Sequence, residues 1–164
     1  FCLSRGLGDV YKRQVYEVLD SGVNYLLSGY DNWSNEQVLD DKIDAFPNTI
    51  HWQYGHVLTI FESVLSLCEQ NEVDIAKYTN LFGYGSSSEK WGDSDVPTID
   101  EIFKHIRTLP ERARKLTDEQ LEQELTETIA GCSTLNELLV LNAIHIPLHA
   151  GKIEEMSRVL KQQQ

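Results

Sequence analysis

The sequence predicts an all-α protein, a four-helix bundle with a long crossover between its second and third long helices. Three observations carry that prediction. Apolar residues recur at three- and four-residue steps along four long segments. Helix-start signatures of the form Ser/Thr-x-x-Glu/Gln recur at Ser34, Thr98, Thr117 and Thr134. No segment reads convincingly as a strand with two-residue alternation.

The first helix is expected from about Val15 to Tyr30, with Tyr16, Leu19, Val23, Leu26, Leu27 and Tyr30 on one face. Ser34 to Gln37 has the capping-box pattern and opens a short acidic helix. Pro47 ends the preceding segment and Asn48 is the expected N-cap of the second long helix, which runs to about Glu72. Gly55 is unfavourable inside that helix, and a close approach by a neighbouring helix or a ligand would compensate.

Val73 to Pro97 reads as a long connection whose aromatics Phe82, Tyr84 and Trp91 pack over one end of the bundle. Thr98 to Glu101 caps the third helix, which continues to Leu116 with a kink or break at Pro110. Thr117 to Gln120 starts a short acidic segment, and Thr134 to Glu137 opens the last helix, which ends near Leu160.

The first fourteen residues, FCLSRGLGDVYKRQ, differ in character from the rest of the chain. They are basic in an acidic protein and resemble a translated sequencing-adapter remnant. They are expected to be a non-native leader, with residues 15–164 forming a single domain. A net charge of -12 argues against nucleic acid as a partner, since phosphate binding needs a basic patch. No apolar run approaches the roughly 20 residues of a membrane span. Cys2, Cys68 and Cys132 form no C-x-x-C pair and read as free buried thiols in a reducing cytoplasm, with a Cys68–Cys132 bridge as the alternative.

The chemistry concentrates in histidines. His145 and His149 are four residues apart, so they share a helix face among Leu138, Leu141, Leu148, Ile153 and Met156. That spacing lets two imidazoles share a metal ion, and His56 on another helix could supply a third ligand. Two core histidines satisfied by hydrogen bonds would have the same spacing. Pro147, between the two, removes one backbone donor from the ligand helix. His51 lies about 140° around the helix from His56. His105 has no ligand-type residue at helical spacing. Both read as partly exposed structural histidines. Trp52, one turn before His56, and Asn142, nearly one turn before His145, are candidates for pocket lining or support of the ligands.

Trp52 to Val57 forms W-x-x-G-H-V, and His145 to Ile153 forms H-x3-H-x-G-x-I. In that order on a helical pattern they resemble the DinB-like (YfiT-like) superfamily of bacterial metalloproteins over about Val15 to Leu160. The resemblance implies an up-down-down-up bundle whose divalent metal ion is held by His56, His145 and His149. Pro147 departs from an unbroken ligand helix. Similar proteins include S-transferases and isomerases that use low-molecular-weight thiols, which implies metal activation of a thiol or of water. A non-catalytic metal-binding stress-response protein is the alternative. Zinc, nickel, iron and copper all suit three imidazoles. The expected partner is such a thiol or another small molecule, in the cytoplasm, and a homodimer is compatible with this reading. No general base can be placed, since Glu62, Glu154 and Glu155 all diverge from the histidines.

Overall fold

The computed structural model describes residues 2–162, and for residues 2–13 the backbone alone. The chain is mostly helical with one small two-stranded sheet. In order, α1 spans Cys2–Asn32, α2 Ile50–Ser66, α3 Ile75–Phe82, α4 Ile99–Ile106, α5 Leu109–Arg114, α6 Asp118–Leu121, β1 Glu124–Ile129, β2 Cys132–Thr134 and α7 Leu135–Gln162. No helix among the described residues is long and apolar enough to cross a membrane.

Specific contacts give the direction of each helix pair. Gly22 lies against Ile146 and Pro147, and the Tyr25 hydroxyl donates to Glu154, so α1 and α7 run the same way. Gln53 meets His149 while His56 meets His145, so α2 and α7 are opposed. Tyr54 packs on Phe103 and Glu62 pairs with Arg112, so α2 runs along the arm made of α4 and α5. Leu19, Leu26, Tyr54, Phe61, Ile102, Ile106, Leu109, Ile146 and Ile153 fill the space between these helices and are buried. Each large apolar side chain so buried contributes about 1.5–3 kcal/mol relative to exposure.

Several local expectations hold for the expected reason. Thr98 and Thr117 form complete capping boxes with Glu101 and Gln120. Thr134 accepts from the Glu137 amide while the Glu137 carboxylate reaches back to Thr134 N, which starts α7. Pro110 falls in the first turn of α5, where a missing donor costs nothing, so the expected third helix is two short helices. Cys68 and Cys132 are free and half-buried rather than bridged.

Other expectations are corrected. α1 begins at Cys2 rather than Val15, so the expected leader continues its backbone, and the leader's side chains through residue 13 lie outside the described residues. Ser34 does not cap: it adopts a left-handed conformation with no side-chain bond, and Asn35–Val38 is a 3-10 turn. Thr49, not Asn48, is the N-cap of α2, accepting from the Trp52 amide. Asn48 instead receives the Ser88 amide and so anchors the later loop. α2 ends at Ser66, where Glu69 turns to positive φ.

The long connection contains α3, capped by Asp74. Of its aromatics Phe82 is buried and Trp91 packs on it, but Tyr84 is 98% exposed. The strands were not anticipated either. They pair antiparallel around Ala130 and Gly131, both at positive φ, as a two-residue hairpin turn requires.

Gly55 has the compensation its position called for. A Cβ there would lie 2.2 Å from Cδ1 of the Phe82 ring. Gly55→Ala would ordinarily stabilise a helix by about 1 kcal/mol; here overpacking against a rigid ring outweighs that gain. Urea titration is expected to show a net loss of about 1–3 kcal/mol. A stabilised variant would show that the ring moves freely.

Candidate metal centre

α2 and α7 bring three histidines together because the ligand-bearing faces of two opposed helices meet. One ligand atom of each of His56, His145 and His149 lies within 4.8 Å of the others. Ring centroids are 5.2 Å apart for His56–His145, 5.0 Å for His56–His149 and 4.4 Å for His145–His149. No carboxylate or thiol joins this cluster among the described residues. Glu62 is committed to Arg112, Glu154 accepts from Tyr25, and Glu155 pairs with Arg158.

The surrounding hydrogen bonds orient two of the rings. His56 Nδ1 donates to the Phe82 carbonyl at 2.7 Å. His149 Nδ1 donates to Gln53 Oε1 at 2.8 Å. Both bonds place the proton on Nδ1 and leave the Nε2 lone pair free, which is the tautomer a metal ligand needs. His145 Nδ1 is buried with no hydrogen-bond partner. A buried nitrogen of that kind is costly, and a cation in the cluster would relieve the polar deficit. The donor set therefore fits a divalent ion.

Trp52 lies flat on His56, with centroids 4.5 Å apart and planes 12° apart, and its indole N–H donates to Ser86. It therefore covers one face of the His56 ring. Asn142 is buried, and its amide donates to the Leu138 carbonyl while its Oδ1 has no partner. Pro147 remains inside a continuous α7 and faces Gly22 of α1, away from the cluster. Leu138, Ile153 and Met156 are buried as expected, but Leu141 and Leu148 are exposed, which leaves that flank of His145 open.

His51 is corrected from partly exposed to buried, and both its nitrogens are occupied, by Asp40 and by the Pro97 carbonyl. His105 is half-buried, 3.5 Å from Glu72. Neither joins the cluster.

Sequence reasoning missed Gln53, the Phe82 carbonyl and Lys152. Gln53 is three residues before His56 and thus on its face, a signal that was present. A backbone carbonyl has no side-chain signature. Lys152 lies three residues after His149, and its charge reaches both His149 and His56.

Burial holds all three imidazoles neutral. It lowers the pKa of His56, aided by Lys152, although the bond to Phe82 opposes the shift. Burial first and His56 second push His145 down to about 4. Burial, then the other two histidines and Lys152, push His149 to about 3. The unfolded chain protonates near pH 6.5, so below that pH it binds more protons than the folded state. Stability of the metal-free protein is therefore expected to fall as pH drops from about 6.5 through about 4 toward 3. Denaturant titration of wild type against His145→Ala and His149→Ala isolates this slope from that of the carboxylates. Parallel pH profiles would contradict it.

In comparisons with known proteins, no protein-family model matches the chain and no curated protein matches it.

Proposed function

We propose that the chain is a DinB-like metalloprotein in which His56, His145 and His149 hold a divalent ion with an open coordination position. The observation that carries this reading is the convergence of the three ligand atoms within 4.8 Å, with two rings already fixed in the metal-binding tautomer. The helix directions support reading α1, α2, the α4–α5 arm and α7 as an up-down-down-up four-helix bundle, a frame that commonly builds metal sites between facing helices.

Three neutral ligands leave the ion its full charge, so it would act as a Lewis acid that lowers the pKa of a bound thiol or water. The reaction class we propose is thiol transfer or hydrolysis on a small molecule. The chain's own residues supply the rest. Phe82 and Gln53 hold two imidazoles in tautomer and orientation, Trp52 shields His56 from water, and the low histidine pKa values keep the ligands deprotonated at neutral pH.

Elemental analysis of protein purified without a histidine tag, with the ion counted per chain, tests the site. One equivalent supports it and none in metal-supplemented medium defeats it. Because the apolar core is built from side chains that need no ion, chelated protein should keep a helical circular dichroism spectrum and melt lower than the loaded form. A thiol-conjugation screen against electrophiles, with and without chelator, separates the enzyme from a non-catalytic metal-binding stress protein.

A further inference from the structure

We infer that Lys152 and the metal centre together form a two-point site for a small molecule bearing a carboxylate or comparable anionic group, the ammonium taking the anion. This rests on the metal-centre reading. Lys152 follows His149 by three residues and His145 by seven, so all three share one face of α7. It is half-buried and has no hydrogen bond or ion pair among the described residues. Several other cations of this acidic chain do pair with carboxylates: Arg112 with Glu62, Lys77 with Asp95, and Arg114 with Asp20.

The charge of Lys152 acts against the cluster's affinity for a cation. Helical spacing sets it one turn beyond His149 on the face that carries both histidines of α7, and from there its ammonium would repel a metal ion. Burial also lowers its own pKa, the mark of an ammonium short of solvent and of a partner. With a dication on three neutral imidazoles the site would gather positive charge, with no carboxylate in the cluster among the described residues. A ligand anion supplies the missing negative charge and the missing partner at once. The flank beside exposed Leu148 and Leu141 is where such a ligand would enter.

The test uses the full chain loaded with cobalt(II) and two thiol probes, 3-mercaptopropionate and its neutral amide, 3-mercaptopropionamide. Thiolate-to-cobalt absorption reports each binding curve. Wild type is expected to prefer the carboxylate probe by about tenfold at low salt, a difference of about 1.4 kcal/mol. Lys152→Met and Lys152→Gln should bring the preference to about one without changing cobalt stoichiometry or affinity for the amide, and Lys152→Arg should retain it. Equal affinity of wild type for both probes, or a preference that survives in both neutral variants, overturns the role of Lys152 and leaves the metal centre standing. Failure of wild type to bind cobalt overturns the metal centre and this site with it.

Discussion

His56→Ala, His145→Ala and His149→Ala are each expected to abolish tight metal binding, while His51→Ala and His105→Ala leave it unchanged. Loss of an outer-shell partner costs metal sites about 10–100-fold in affinity, and loss of a ligand should exceed that range. Gln53→Met gives the intermediate step. It removes the acceptor for His149 Nδ1 but keeps the imidazole, so its effect should fall inside the 10–100-fold range. His51 serves as the control because it is equally buried on the same helix, yet its two nitrogens bind Asp40 and Pro97. Competition against a chromophoric chelator measures the series, with circular dichroism confirming that each variant folds. Equal affinity across all five alanine variants would defeat the ligand assignment.

Arg112→Met should be the most destabilising of the charge substitutions. Glu62 is fully buried, and Arg112 grips both of its oxygens, at 2.6 and 2.9 Å. Arg112 also donates to the Gln70 carbonyl, and Glu62 accepts the Glu72 amide, so the pair clamps the chain where it leaves α2. Removing the guanidinium strands a carboxylate in the core, a change that costs about 3–5 kcal/mol. In a domain of this size that corresponds to a melting temperature lower by on the order of 10 °C. The double variant Glu62→Met/Arg112→Met should recover part of the loss, since replacing a whole buried pair with apolar groups is often tolerated. Urea unfolding of the three proteins decides it. A loss under about 1 kcal/mol for Arg112→Met, the value of a surface pair, would show that the carboxylate reaches water.

The sequence displayed the site better than it displayed the frame. His56, His145 and His149 were legible because helical spacing turns residue numbers into positions on a face, and long α2 and α7 tolerate errors at their ends. Gly55 pointed to a close approach, and Phe82 supplies it. α3 was hidden because eight residues show barely two turns of periodicity beside a Gly- and Ser-rich stretch. The hairpin was hidden because ELTETI exposes most of its side chains, so no buried face imposed a clear alternation. Its one signal was Gly131, with Ala130 taking a positive φ that alanine does not advertise. Asn48 and Ser34 misled because a good capping residue caps only where the following backbone turns helical. Thr49 did so one residue later, and Ser34 led instead into a 3-10 turn. Lys152 was an ordinary letter, set apart by its place on the face of α7 that carries His145 and His149.

The distribution of the three histidines between α2 and the last helix bears on the order of events during synthesis. Two of the three lie on α7, which follows β1 and β2, so a ribosome-bound fragment ending before β1 holds a single imidazole of the set. Such a fragment has no chelate and no means of retaining an ion. On the proposed metal-centre reading, capture by all three histidines would therefore wait until α7 has been made and has docked against α2. An ion held there would bridge segments far apart in the chain and work as a late latch on an assembled protein rather than as a nucleus for its folding.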